Sequence, residues 1–461
     1  VVPAAPVEVV RNPHLGTATH FAQYWDVATV MPVIAASGLT WIRDEIFWSE
    51  VEKHPGVYQI PAKTAKWVAA AHAAGLKIIL CLNGSNPIYT DVYDPQGYAG
   101  AAAYVAKALA GQVQAIEVLN EPHGIFAQLY GGTWNGMEAD GSNSPWLTKY
   151  VTLLNRTAQV VKAANPEMKV IGLGSPAPAN FRQIALGLAP EVDGVTDHPY
   201  SYRTVPEIVP FGNGLAFMKR DGITTADEQG TFASQIRMYR EQCAKYNGPK
   251  EIWLTEWGYT TYHETTPGFM YMGVTESAQG QYILRRFMEC LGLGVDVSCQ
   301  YCFMNQDVGP ENPELNFGMV DIHLKPKPAY AAVQRLVTAM AGCEAKDTVQ
   351  VKVTPVGDRP DQWPIVWDGG ALAAPGTISC YQFVNAAGQS LIALWSAERA
   401  DGDQQPRTAK VEITTDAPVT AIQGLDIWTG ETFTVPFTRL DNVITIEKLT
   451  VPAHPITLTL Q

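Results

Sequence analysis

Between residues 15 and 341 the chain repeats one cadence: a short run rich in Ile, Val and Leu, then an Ala-rich segment with helical periodicity, usually closed by Gly or Asn-Pro. The strand-like runs fall at 15–21, 41–45, 76–83, 116–121, 170–175, 194–200, 252–256 and 298–303. The helical segments include 26–37, ended by Gly38, and 62–74, ended by Gly75. Later ones are 146–164, ended by Asn165-Pro166, and 231–246, ended by Asn247-Gly248. Eight strands alternating with eight helices fit a closed parallel barrel better than an open sheet. The chain therefore reads as α/β, with a (β/α)8 TIM barrel over residues 15–342.

Beyond Met340 the texture changes. Runs at 349–354, 378–383, 391–395, 409–414, 443–447 and 456–460 alternate apolar and polar residues, with turn residues and no helical stretches between them. This predicts a smaller all-β sandwich over 347–461. Residues 1–14 form an N-terminal extension, whose first ten residues offer the sandwich a further strand.

Composition narrows the class. At 46% hydrophobic residues a large core can be buried, and a formal net charge of −13 without any basic run argues against nucleic acid and anionic membranes as partners. No uninterrupted apolar stretch reaches the roughly 18 residues of a membrane helix. Seven scattered cysteines lack the spacing of a disulfide framework, and Cys299 and Cys302, two residues apart within an apolar run, read as core. The start at Val1-Val2-Pro3, without Met, fits a trimmed signal peptide and a secreted or periplasmic location.

Two glutamates end buried runs: Glu121 in Leu119-Asn120-Glu121-Pro122-His123, and Glu256 in Trp253-Leu254-Thr255-Glu256-Trp257-Gly258. A carboxylate at the end of a buried parallel strand is costly unless it serves a site. Two on different strands meet the needs of glycosidic bond cleavage, one as acid/base and one as nucleophile. The alternative is a pair of structural ion pairs, but both stand beside aromatic or amide residues rather than Lys or Arg. The segments after strands are long, at 123–145, 201–230, 259–274 and 304–328, and in such a barrel they share the C-terminal face with both glutamates.

The set Asn120-Glu121-Pro122 after strand 4 with Glu256 after strand 7 resembles glycoside hydrolase clan A, whose members are retaining (β/α)8 enzymes. Thr255-Glu256-Trp257 leans toward family 39, and Asn120-Glu121-Pro122-His123-Gly124 is equally similar to family 5. Arg43 on strand 2 and Asp197-His198-Pro199-Tyr200 on strand 6 fall where that clan expects them. The resemblance implies double displacement on β-glycosidic bonds of a poly- or oligosaccharide, with no cofactor. Glu121 is expected as general acid/base with a raised pKa, and Glu256 as a nucleophile kept ionised by Arg43 and Tyr200. Asn120 is expected to hold the sugar 2-hydroxyl.

Further substrate-binding candidates are His198, His20, Asn83, Tyr301, Trp257 as a wall of the sugar pocket, and Trp134 on a glycine-flanked turn. Trp25, Trp48 and Tyr262 are candidates for outer subsites. Each has a plainer reading: Arg43 as a rim ion pair with Asp44 or Glu45, His198 as a satisfied core histidine, and Trp257 as packing above the barrel. No paired histidines at ligand spacing and no glycine-rich phosphate loop are present, so neither a metal nor a nucleotide is expected. The aromatic-rich loops favour a cleft and endo-action. Other readings are a transglycosylase or exo-glycosidase on the same barrel and, more distantly, a catalytically silent carbohydrate-binding protein.

Overall fold

A computed structural model describes residues 9–265, 270–357, 377–400 and 405–461. Eight parallel strands close into a barrel: β1 (Asn12–Ala18), β2 (Leu39–Phe47), β3 (Lys77–Asn83), β4 (Ala115–Val118), β5 (Lys169–Leu173), β6 (Gly194–Asp197), β7 (Glu251–Leu254) and β8 (Val297–Gln300). Each pairs with its neighbours in sequence, and β1 closes the ring against β8. The expected (β/α)8 barrel is what the chain forms. The first strand starts at Asn12 and stops at Ala18, three residues early at each end relative to the sequence reading. The expected extra strand from the N-terminal extension lies mostly outside the described residues. A small hairpin, Glu52–His54 with Val57–Tyr58, follows β2 and has no counterpart in the sequence reading.

Period two along the strands explains how the barrel interior is layered. Trp41, Arg43 and Glu45 share one face of β2, and Ala115 and Glu117 share one face of β4. The lower positions form an apolar plug of Trp41, Ile79, Ala115, Ile171, Trp253, Val297 and Cys299, with the two indoles edge to face at 5.1 Å. The next layer up is polar, and it is the floor of a site at the strands' C-terminal ends.

The strands are shorter at their ends than the apolar runs. β4 stops at Val118 and β7 at Leu254, so Glu121 and Glu256 stand just past the sheet. Leu119 (φ 64°) and Glu121 (φ 40°) both adopt left-handed backbone, a conformation that costs non-glycine residues about 1–3 kcal/mol each and clusters at functional sites. Pro122 then opens the helix Pro122–Tyr130, at a position where its missing N–H leaves no gap in the ladder.

After the last barrel helix, Pro328–Ala339, the chain forms two antiparallel sheets. The six-stranded sheet runs Glu344–Ala345, Ile378–Val384, Ser390–Ser396, Ile456–Leu460, Ile422–Asp426 and Thr432–Thr434 in spatial order. The four-stranded sheet runs Gln350–Val356, Arg407–Thr414, Val443–Val451 and Thr438–Leu440. The strands at Ile422, Thr432 and Thr438 are short and half polar, which is why they escape a reading of alternation. Between the sheets lies a separate apolar core that includes Ile392, Leu394, Val411, Ile413, Ile444 and Leu458. On the opposite face of the larger sheet, Phe383, Leu391 and Trp395 join the core of the barrel.

Candidate active site

The polar layer is organised by Arg43, which is buried on β2. Its guanidinium is a planar fork with donors in three directions, and each direction meets an acceptor. Nε donates to Glu117 Oε2 at 2.6 Å, one terminal nitrogen donates to Glu256 Oε1, and the other donates to Asn120 Oδ1 at 2.7 Å. Arg43 thus ties β2 to the ends of β4 and β7. The rim pairing with Asp44 or Glu45 does not form. Asp44 instead accepts hydrogen bonds from the loop after β1, and Glu45 accepts from Asn83 Nδ2 at 2.7 Å.

Glu256 is buried, and its second oxygen accepts from the Tyr200 hydroxyl at 3.1 Å. Glu121 is the more open of the two, with 41% of its side chain exposed. Its Oε1 lies 2.8 Å from His198 Nδ1, and the same nitrogen lies 3.7 Å from Glu256 Oε2. One oxygen of each glutamate and one nitrogen of His198 fall within 4.8 Å of one another. Among the described residues these three form the one grouping with metal-ligand spacing. The Arg43 guanidinium already places a positive charge against Glu256, and this opposes a cation there.

The expected rise in the Glu121 pKa is not what the site produces. Burial does push it up, but the hydrogen bond and charge of His198, with smaller help from His123 and Arg43, bring it down to about 2. Burial pulls His198 down, and the charges of Glu256 and Glu121 outweigh this and raise it above its ordinary value. Both directions favour a Glu121 carboxylate beside a protonated His198 ring. The hydrogen bond and charge of the histidine in contact with Glu121 together outweigh the rise that burial alone would give.

Two adjoining cavities meet at these groups. The first, of about 280 Å³, touches both Glu121 and Glu256, and is lined also by His20, Arg43, Asn120, Tyr200, Tyr301 and Glu314. The second, of about 360 Å³, touches Glu121 but not Glu256, and is lined by His123, Trp134, His198, Tyr202, Phe211, Arg220 and Tyr271. Glu121, Tyr200 and Tyr271 border both.

Most sequence candidates reach this place. His20 lines the first cavity, wedged edge-on between Trp25 and Tyr301, and burial followed by the Arg43 charge lowers its pKa to about 4. Asn83 sits behind the wall rather than in it: it holds Glu45 and accepts from the Asn120 backbone N–H at 3.2 Å. Trp134 lines the second cavity, 42% exposed, with the Arg220 guanidinium 5.8 Å from its ring centre.

Trp257 is a correction. It is buried, donates from Nε1 to Ser298 Oγ at 2.8 Å and packs edge-on against Phe287, so it faces the helical layer while Glu256 faces the site. Trp25, Trp48 and Tyr262 are buried as well, and none of them lines either cavity.

Several residues at the site went unread in the sequence. Glu117 stands in mid-strand in Ile116-Glu117-Val118, and a carboxylate inside an apolar run was the available signal. It accepts from Thr255 Oγ1 at 2.7 Å, and Thr255 in turn lies 3.1 Å from His198 Nε2. Tyr202, Tyr271 and Glu314 come from the long loops, where no periodicity marks a side chain as facing inward.

Fold and site together define a (β/α)8 barrel with a close carboxylate pair on its C-terminal face. Comparison with protein-family models finds no match, and neither does comparison with curated proteins. Among solved structures the chain is similar to a family 39 glycoside hydrolase from the gut symbiont Bacteroides cellulosilyticus WH2, at 19% identity and a TM-score of 0.68 over 99% of this chain and 82% of that one. The family 39 enzyme of Xanthomonas axonopodis pv. citri is 16% identical, with a TM-score of 0.55 over 99% of this chain and 95% of that one. A monomeric β-xylosidase from Caulobacter crescentus CB15 is 14% identical, with a TM-score of 0.52 over 99% and 97%. The chain has the barrel-plus-β fold of these clan A glycoside hydrolases.

Proposed function

We propose that the protein is a retaining glycoside hydrolase that cleaves β-glycosidic bonds in a poly- or oligosaccharide, with Glu256 as nucleophile and Glu121 as general acid/base. The observation that carries this reading is the approach of the two carboxylates, one oxygen of each within 4.8 Å of the other. Direct attack on the anomeric carbon needs carboxyl groups about 5–5.5 Å apart, whereas inversion needs about 6.5–9.5 Å to admit a water. The roles follow from surroundings. Glu256 is held by Arg43 and the Tyr200 hydroxyl, which aim it into the first cavity. Glu121 borders the second cavity, where a leaving group would stand.

Binding space on both sides of Glu121, with Trp134 in the outer cavity, supports cleavage within a chain. One observation favours release of a terminal sugar instead. The Tyr24 hydroxyl donates to Gln306 Oε1 at 3.2 Å, and Gln306 Nε2 donates to the Tyr301 hydroxyl at 2.6 Å, tying the loops after β1 and β8 beside the first cavity. A polymeric substrate is met outside the cytoplasm, so a secreted or periplasmic location belongs to the proposal.

A polysaccharide panel with product sizing separates the two modes, and NMR of the first-formed anomer reads the stereochemistry. Retention is expected, and inversion would overturn the mechanism. Glu121→Ala is expected to keep activity on aryl glycosides whose leaving group needs no proton, and to be accelerated by azide with retained configuration. Inverted azide product from that variant would exchange the two roles.

A further inference from the structure

His198 touches both carboxylates, and its hydrogen bonds count protons. Glu117, fully buried, accepts at Oε2 from Arg43 Nε and at Oε1 from the Thr255 hydroxyl at 2.7 Å. A carboxylate has no hydrogen to give and a hydroxyl has one, so the Thr255 hydrogen is committed to Glu117. Toward His198 Nε2, 3.1 Å away, Thr255 Oγ1 only accepts, and Nε2 therefore carries a hydrogen. On the other side Nδ1 lies 2.8 Å from Glu121 Oε1. Two bare lone pairs at that separation repel, so one further proton lies between these atoms.

We propose that His198 is the resting holder of the acid/base proton: its Nδ1 keeps the proton that Glu121 passes to the leaving group, and the Thr255–Glu117 pair fixes the ring for that task. The proposal rests on the retaining reading above. His198 acts through Glu121 and is a positioning residue.

The charges around the ring place the proton on nitrogen in the free site. Glu121 and Glu256 face it as anions, Arg43 opposes them from β2, and His123 adds a weaker opposing influence beside Glu121. Asp197 accepts from the His198 backbone N–H at 2.9 Å. Substrate binding covers the exposed side of Glu121, which favours its neutral form. The Nδ1–H bond then breaks and a Glu121 O–H bond forms, leaving neutral His198. In the first chemical step the Glu121 O–H breaks, the leaving oxygen gains that proton, its bond to the anomeric carbon breaks, and a Glu256 ester bond forms. Esterified Glu256 carries no charge, so the ring has lost one of its two anionic partners and stays neutral while Glu121 waits as the base. Water attack then cleaves the ester, Glu121 takes the water proton, and the regenerated Glu256 anion draws it back to Nδ1.

The test combines ring-nitrogen NMR of the whole protein with pH profiles of kcat/KM. His198 is expected to show two N–H groups up to a midpoint above pH 6.5, its ordinary value, and Glu121→Gln should lower that midpoint. In His198→Asn the proton has only a carboxyl to sit on, so the basic limb of the profile should move down by about one pH unit or more. The loss at neutral pH should be at least about tenfold greater for an alkyl than for an activated aryl glycoside of the same sugar. Thr255→Val should move the limb the same way by less. A singly protonated ring below pH 6.5 in an active enzyme would overturn the proton-holding role alone. An imidazolium in a protein that cleaves no glycoside would overturn the retaining reading, and the role with it. The wild-type NMR measurement stands even if His198→Asn fails to fold.

Discussion

At the scale of single residues, the site is a problem in placing charge where water is scarce. Arg43 faces Glu117, Glu256 and Asn120 together, so removing it strands two carboxylates at once. Arg43→Met is expected to destabilise the fold by about 3–5 kcal/mol, the range for a buried pair that loses one partner. Adding Glu117→Gln should recover part of that loss; urea unfolding of the single and double variants checks both. The Glu121–His198 pair makes a pH prediction. A lowered carboxyl pKa adds stability that is present above about pH 4.3 and lost as pH falls toward 2. A raised imidazole pKa adds stability that is present below about pH 6.5 and lost as pH rises through the folded value. The coupling between the two side chains should therefore peak between about pH 4.3 and 6.5. A double-mutant cycle repeated across pH would show it, and a coupling that grew steadily toward pH 9 would contradict the assignment.

At the scale of elements, the strand ends and the loops that follow them do different work. The strands present Arg43, Glu45 and Glu117 by simple alternation. Loops have no such rule and are held by specific bonds. Asp44, buried on β2, accepts from Thr19 Oγ1 at 2.7 Å and from the backbone N–H groups of Phe21, Ala22 and Glu45 at 2.6, 3.2 and 2.7 Å, pinning the turn that carries His20. In Asp44→Asn the amide nitrogen must meet one of these donors, at an expected cost of about 1–3 kcal/mol. KM should rise as His20 and Gln23 lose their place in the first cavity. Thermal melts and steady-state kinetics read the two effects.

The turn around Trp134 is built on Gly131, Gly132 and Gly136, all at positive φ, and sets the indole in the outer cavity. Trp134→Ala should weaken cleavage of long chains about tenfold, or about 1.4 kcal/mol, and barely affect small aryl glycosides. Equal loss on both substrate sizes would move Trp134 to the cleavage point.

At the scale of the whole molecule, the β-sandwich is bound to the barrel through buried polar contacts as well as apolar ones. Arg285 on the barrel helix Glu276–Gly292 pairs with Glu207 at 2.8 and 2.5 Å and donates to the Glu398 carbonyl at 2.5 Å. Trp395 donates from Nε1 to Glu207 at 2.6 Å and so fastens the larger sheet to the long loop after β6. Beside it Glu289 accepts from the Tyr381 hydroxyl at 2.9 Å, and burial, then the Glu207 charge, push its pKa up to about 8. A carboxyl raised in the folded state favours folding below its unfolded value of about 4.3, and that contribution is lost as pH rises through 8. Glu289→Gln is thus expected to raise Tm relative to wild type more at pH 8 than at pH 5. An equal shift at both would show that Glu289 is ionised throughout. Deleting residues from about 345 onward should cost solubility and stability before it changes which bond is cut.

Sequence alone determined the barrel and the two glutamates, because buried parallel strands demand apolar runs and a carboxylate breaking such a run is conspicuous. It also pointed to Arg43, Asn120, His198 and Tyr200, which lie in those runs at the positions the resemblance to clan A picks out. It did not reveal Glu117 and Thr255 as partners, since the contacts that matter join β2, β4, β6 and β7, and ring closure alone decides which side chains of separate strands meet. It singled out Trp134 by its glycine-flanked turn but placed Trp257 in the pocket wall as well: an indole is equally at home in a core or in a cavity wall, and the difference is only what packs against its face. The protonation of Glu121 was decided last of all, by a histidine 77 positions away in sequence and 2.8 Å away in space. Electrostatic environment at that range is a property of the assembled site, because the field falls off with distance in three dimensions and not along the chain.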